Sequence, residues 1–307
     1  MKTKKPVIPA ILGPTASGKT AIAVEIARDL GMEIISCDSR QIYRFMNIGT
    51  AKPLKEQLGS AVHHCIDLVD PDKQFSAYLY SEEASAVILK GLIEGKKFLL
   101  CGGTGLYYRS LCEGLWPRVE SDPRLRDELI RRAKAEGSAA LHLELIAKDP
   151  ASASRIHEND TQRIVRALLV YYQTGRSLSS STGPNPGDAP FEFRAAVLNV
   201  KRDVLYERIG ARVDQMIQAG LYEEYGELLH RGYGPLDPGL HCVGYKELAA
   251  VEQGCVTLSE AAELIKMNTR RYAKRQVTWF THQTKGIPID HNAFARIRDF
   301  VAGTAGL

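Results

Sequence analysis

Residues 13–20 read Gly13-Pro14-Thr15-Ala16-Ser17-Gly18-Lys19-Thr20, which fits G-x-x-x-x-G-K-[ST]. A loop of this kind turns backbone N–H groups and a helix N-terminus toward a chain of phosphates. Its Lys adds a mobile positive charge and its Thr a hydroxyl for Mg2+. An apolar run precedes the loop and an amphipathic stretch follows it, the context that separates such a loop from a chance match. The expectation is phosphate binding, in a nucleotide or a diphosphate. Whether the phosphates are transferred, hydrolysed or leave as diphosphate stays open. A second candidate is Asp38, directly after the apolar Glu33–Cys37. It could hold Mg2+, act as a general base or cap a helix, and taken alone it does not decide among these.

The elements that must position these residues alternate in type. Val7 to Leu12 reads as a buried parallel strand, Thr20 to Leu30 as a helix closed by Gly31, and Glu33 to Asp38 as a second strand. His64 to Val69 is a weaker strand, Ser76 to Gly95 a long helix, and Phe98 to Cys101 a strand running into Gly102-Gly103. Strands alternating with helices imply a parallel sheet covered on both faces. From about Trp116 the pattern turns helical, with segments at Arg124–Glu136, Ala139–Lys148 and Asp160–Thr174. Ser177 to Pro190 is a linker rich in Ser, Gly and Pro, and Ala195 to Val200 restores the strand signal. The remainder reads as mostly helical: Val204–Ala219, Tyr222–His230, and a last helix from the capping box at Thr257 to about Lys285, stopped by Gly286 and Pro288. The expected organisation is an α/β core at 1–114 and 191–307 with a helical insert at 115–190.

Composition narrows the class. The chain has 307 residues, 44% hydrophobic and 25% charged, with a net charge of +4, values of an ordinary globular protein. No apolar run approaches the ~18 residues of a membrane span, and Val7–Leu12 is too short for a signal-peptide core. A cytoplasmic protein is expected. Between Glu263 and Asp290 no acidic residue occurs, while Lys266, Arg270, Arg271, Lys274, Arg275 and Lys285 do. Such a surplus suits a polyanion or a plainly solvated helix face. The six cysteines form no C-x-x-C pair, and reduced thiols are expected. His63-His64 is a poor ligand pair, because neighbours on a strand point to opposite faces.

Several segments occur together in one order. After the loop come Asp38-Ser39-Arg40-Gln41-Ile42-Tyr43, Gly49-Thr50-Ala51-Lys52-Pro53 and Gly102-Gly103-Thr104-Gly105-Leu106-Tyr107. These are followed by Asn159 to Leu168, Val243-Gly244-Tyr245-Lys246-Glu247 and Thr269 to Gln276. From about residue 7 to 281 the chain resembles the tRNA dimethylallyltransferase (tRNA isopentenyltransferase) family. The resemblance implies an α/β fold: a P-loop NTPase-like parallel sheet flanked by helices, with an all-helical insert and a helical C-terminal region. It implies transfer of a dimethylallyl group from dimethylallyl diphosphate to N6 of the adenosine beside the anticodon, tRNA position 37. The partners would be that diphosphate and the anticodon stem-loop of tRNA, the cofactor Mg2+ at Thr20, and the chain a monomer with no membrane contact.

By that resemblance Asp38 accepts the N6 hydrogen, Thr104 orients or relays it, and Arg212, four residues after Arg208 on one helix face, contacts the leaving diphosphate. Gly13 to Thr20, including Pro14, Thr15, Ala16, Ser17, Gly18 and Lys19, would hold the diphosphate. The tRNA would meet Asp38, Ser39, Arg40, Gln41, Thr104 and Arg126. It would also meet Gln162, Arg163, Ile164, Val165 and Arg166 in the insert. The last group is His241, Cys242, Val243, Gly244, Tyr245, Lys246, Lys274, Arg275 and Gln276. Trp116 and Tyr107-Tyr108 could stack on bases or belong to the core. One departure is Thr281, where the family commonly has Arg. A metabolite kinase, an enzyme prenylating free adenylate, and a non-catalytic RNA binder are the competing readings.

Overall fold

The computed structural model describes residues 5–113, 122–180 and 189–307. The chain divides into two compact units, 1–112 with 189–307, and 113–188. The larger is built on a six-stranded, wholly parallel sheet of β1 (Val7–Leu12), β2 (Glu33–Cys37), β3 (His63–His64), β4 (Phe98–Gly102), β5 (Glu192–Asn199) and β6 (Ile287–Asp290). Their order is β3-β2-β4-β1-β5-β6. The central strands are continuous apolar runs because both faces are covered: Ile11, Leu12, Ile35, Leu99 and Leu100 are fully buried. On one face α1 (Lys19–Leu30) and α13 (Phe294–Ala305) close a core in which Ala23, Ile26, Ile297 and Val301 pack on Ile11, Ile34, Leu99 and Leu198.

This order brings the chemistry together. β4 lies between β2 and β1, so three carboxyl ends meet at one edge of the sheet, where ligands bind in open α/β folds. They carry Asp38, Gly103-Thr104 and Gly13. The approach is close: a Cβ on Gly102 would stand 2.1 Å from the carbonyl oxygen of Cys37. That oxygen accepts from the N–H groups of both Gly103 (3.2 Å) and Thr104 (3.1 Å), which fixes the turn beside Asp38.

Two stretches depart from the sequence-based expectation. The strand expected at His64–Val69 is cut to His63–His64, because Cys65 (φ 62°) and Asp67 (φ 54°) adopt left-handed backbone that breaks the extended run. Only an isolated bridge, Tyr43 to Val69, continues the pairing. Pro288, read as a stop, lies within β6, an edge strand that tolerates a residue without an N–H. The long helix α12 (Leu258–Gln283) ends two residues earlier than expected, and its Thr257–Glu260 capping box is present.

The smaller unit holds α5 (Pro123–Glu136), α6 (Ser138–Lys148), α7 (Pro150–Ala153) and α8 (Thr161–Thr174) around Leu129, Leu141, Leu145, Ile164 and Leu168. Asp122 caps α5 with Pro at the first position, and Asp160 caps α8. The buried Asp149 accepts from Ser152 N–H, Ser179 N–H and Ser179 Oγ. Among the described residues no helix is long and apolar enough to cross a membrane.

Gly102→Ala is expected to destabilise the protein by about 1–3 kcal/mol, since the added methyl meets backbone that cannot rotate away. Gly59→Ala, where a Cβ meets open space, should stay within about 1 kcal/mol of neutral. Urea unfolding of the two variants side by side checks this. Equal midpoints would refute the close-approach argument.

Candidate active site at the carboxyl edge of the sheet

The loop after β1 takes the shape its sequence allows. Gly18 adopts φ 86° at the entry to α1, and Ala16, at φ 62°, spends strain where a non-glycine residue is uncommon. Lys19 Nζ donates to Pro14 O at 3.3 Å. Burial lowers the Lys19 pKa, while Cys101 and Asp38 oppose that shift. Arg212, on α9 (Arg202–Gln218), donates to Thr15 Oγ1 at 3.4 Å. Burial works against its charge and Asp38 supports it. A lysine and an arginine held partly out of water at one carboxylate form a strong receptor for an anion.

Gln276 of α12 locks this arrangement. Its Oε1 accepts from Thr15 N–H at 2.8 Å and its Nε2 donates to Gly103 O at 2.8 Å, so one side chain ties the P-loop to the turn after β4. It is only 7% exposed, and its amide is spent on positioning the loop while the residue also lines the large cavity.

Across the edge, Asp38 Oδ1 accepts from Arg40 N–H at 2.8 Å. Thr104 Oγ1 does not cap the helix that follows, α4 (Gly105–Glu113); it accepts from Ser39 N–H at 3.0 Å. The Tyr272 hydroxyl reaches the same Thr104, and burial, with Asp38 pushing the same way, raises its pKa to about 12, so it stays neutral. The sequence reading left Tyr272 out of the site. Its signal was spacing: Asn268, Tyr272 and Gln276 recur every four residues, one face of a helix, and all three line the cavity.

That cavity, ≈ 550 Å³, is lined by Thr15, Lys19, Asp38 and Arg212 at its base, by Arg40, Lys246, Arg271 and Arg275 among its cations, and by His241. Its wall at Gly49–Ala51 has an internal support. Glu224, on α10 (Leu221–His230), accepts from the N–H groups of Asn47 (2.8 Å), Ile48 (2.8 Å) and Gly49 (3.1 Å), and from the Tyr245 hydroxyl (2.7 Å). Tyr245 is fully buried and packs so tightly on Gly49 that a Cβ there would stand 2.6 Å from the ring. Lys52 is likewise consumed by Tyr43 O, Asn47 Oδ1 and Asp67 Oδ1. Glu247 accepts from Gly244 N–H and from Asn268 Nδ2. These residues shape the cavity. Among the expected tRNA contacts, Tyr245 and Gln41 (9% exposed) have buried side chains, while the backbone of Gly244 lines the cavity.

Other expected contacts divide by exposure. Ser39, Cys242 and Val243 are half-buried cavity-lining residues, while Lys274 is exposed without lining it. Lys266 is withdrawn from the basic stretch by Asp214 (2.7 Å) and Glu263 (2.8 Å), and Arg270 lies over the Tyr206 ring. In the smaller unit Arg126, Gln162, Arg163 and Arg166 are exposed. Ile164 (0%) and Val165 (6%) face its core, so their side chains pack and cannot read RNA. Tyr107 stacks on Tyr80 at 4.2 Å, and Tyr108 meets Phe193 edge-on, as core aromatics do. Trp116 lies outside the described residues. The described cysteines are all free, and no cluster of three or more His, Cys, Asp or Glu groups among the described residues could hold a metal.

A phosphate-binding loop at the edge of a parallel sheet, facing a carboxylate across a cation-lined cavity, defines a P-loop transferase. The chain belongs to the tRNA dimethylallyltransferase family: the family described as IPP transferase matches residues 41–283, and that described as isopentenyl transferase matches 6–70. It is 46% identical over 271 residues to the tRNA dimethylallyltransferase of Geobacter sulfurreducens, covering 88% of this chain and 87% of that one. Identity is also 46% over 281 residues to the enzyme of that name from Desulforudis audaxviator, covering 91% and 90%. The crystal structure of tRNA isopentenylpyrophosphate transferase from Bacillus halodurans superposes with a TM-score of 0.71 at 36% identity, covering 99% and 97%. A eukaryotic dimethylallyltransferase described as acting on tRNA shares the fold, with a TM-score of 0.77 at 24% identity, covering 98% and 77%.

Gln276→Leu should leave two buried backbone groups unpaired and cost about 1–3 kcal/mol of stability. It should also weaken binding of inorganic diphosphate by loosening Thr15. Thermal unfolding and calorimetric titration measure the two effects. Wild-type behaviour in both would remove Gln276 from the positioning of the loop.

Proposed function

We propose that this protein transfers the dimethylallyl group of dimethylallyl diphosphate to N6 of the adenosine beside the anticodon of tRNA, releasing diphosphate. The observation that carries the reading is that Lys19 of the P-loop and Asp38 line one cavity, in a chain of this family. In the reaction the C–O bond to diphosphate breaks as N6 bonds to the allyl carbon, and Asp38 takes the N6 proton. Lys19 and Arg212 stabilise charge gathering on the departing diphosphate, which is greatest in the transition state. Ser39 and Tyr272 hold Thr104 beside the carboxylate. The adenine amine is a weak nucleophile because its lone pair is delocalised, so loss of its proton to a positioned base matters.

Mg2+ is part of this reading. Thr20 and Asp38 line one small chamber, and the scarcity of clustered protein ligands suits an ion that takes phosphate and water oxygens for most of its shell. When bound it would supply further charge neutralisation at the diphosphate. The anticodon stem-loop as the recognised element, a monomeric chain and a cytoplasmic location complete the proposal. The free cysteines fit a reducing compartment.

The deciding experiment supplies radiolabelled dimethylallyl diphosphate with an unmodified anticodon stem-loop or with free AMP. Label on the stem-loop alone is expected, and efficient labelling of AMP would favour an enzyme acting on free adenylate. Asp38→Ala should lower the single-turnover rate roughly 10²–10⁴-fold with tRNA binding retained. A rate within threefold of wild type would remove Asp38 as the base. Arg163→Ala and Lys274→Ala should each weaken stem-loop binding and flatten its salt dependence by about one counterion. Affinity for the diphosphate should not change in either variant.

A further inference from the structure

Beneath the P-loop is a second, much smaller chamber of ≈ 20 Å³, with Lys19, Thr20, Ser36, Asp38, Gln41 and His63 among its lining residues. That volume is the size of one water. Lys19 and Asp38 also line the large cavity, so the chamber abuts the proposed reaction site, while Thr20 lines the chamber alone. His63 and His64 diverge on their strand: His64 Nε2 meets Glu33 at 2.7 Å. His63 Nδ1 lies 2.8 Å from the carbonyl of Ala61. A carbonyl can only accept, so Nδ1 carries the proton and Nε2 is left as a bare lone pair. Nε2 is buried and has no partner, a costly state for a polar atom.

Several other groups lining the chamber already have partners of their own. The Ser36 hydroxyl donates to Gln41 Oε1 at 3.1 Å, and Gln41 Nε2 donates to Ala51 O. Lys19 Nζ is turned to Pro14 O, and Asp38 is a carboxylate. A water here finds acceptors at His63 Nε2 and at the Asp38 carboxylate, to which it can give its two protons while turning its oxygen to a cation. That is the posture of a water whose oxygen is bound to a cation.

We propose that His63 is a positioning residue for the divalent cation: its Nε2 accepts a hydrogen bond from a water in this chamber, and that water ligates the cation at Thr20. The inference rests on the reading of Thr20 as a cation ligand. Partners of this outer kind typically change metal affinity 10–100-fold when lost.

The test is Mn2+ binding to the enzyme with inorganic diphosphate, followed by electron paramagnetic resonance, with no turnover involved. His63→Asn sets an amide N–H near Nδ1, keeping the bond to Ala61 while deleting Nε2. His63→Gln can extend an oxygen toward the place of Nε2. The expected result is a loss of affinity of about 10-fold or more for Asn, largely recovered by Gln. Wild-type affinity in the Asn variant, or Gln the weaker of the two, would overturn the proposal and leave His63 as a support for Ala61. Failure of the wild-type complex to bind Mn2+ would remove the cation at Thr20, and both readings with it.

Discussion

One buried side-chain amide holds the site in register. Gln276 bridges Thr15 N–H and Gly103 O, two groups that begin loops from different strands. Beyond it the two are joined at their bases through the ladder between β1 and β4, the Gly13 N–H on Gly102 O and the Cys101 thiol on Lys19 O. Because Gln276 sits on α12, the same bond fixes the helix that carries Arg271, Tyr272 and Arg275 into the cavity wall. The position of the P-loop is thereby coupled to the cation-bearing wall of the cavity. An amide suits this task better than a charge would, since it serves one donor and one acceptor at once without the desolvation cost of an ion.

Electrostatics at the base of the cavity follow the same economy. Lys19 and Arg212 are both pushed toward neutrality by burial, and Asp38 opposes that push on each. One carboxylate thus favours the charged form of both groups at the base of the cavity.

Much of this was legible in residue types. The P-loop, the strands before Gly13, Asp38 and Gly102, and the capping box at Thr257 are local signals, set by steric and hydrogen-bonding rules within a few residues. What escaped was long-range. Residue type alone does not say that Tyr245 is swallowed by the contact with Gly49, or that Lys266 is spent on Asp214. Ile164 and Val165 stood within a motif whose neighbours are exposed, yet the helical period turns them into the core of the smaller unit. The edge strand β6 was hidden by Pro288, because a rule valid for central strands fails where one side of the backbone needs no partner.

The support at Glu224 shows how such hidden contacts shape specificity. Successive N–H groups of Asn47, Ile48 and Gly49 converge on one point, the arrangement that elsewhere in proteins binds anions. Left open beside a cation-lined cavity, it would compete with the P-loop for phosphate. The chain fills it with its own carboxylate, which Tyr245 holds from the other side. An internal anion that meets its donors with no loss of translational freedom outcompetes a dissolved one. The loop at Gly49–Ala51 therefore becomes a fixed neutral wall, and the attraction for an anion is concentrated where Lys19 and Arg212 lie.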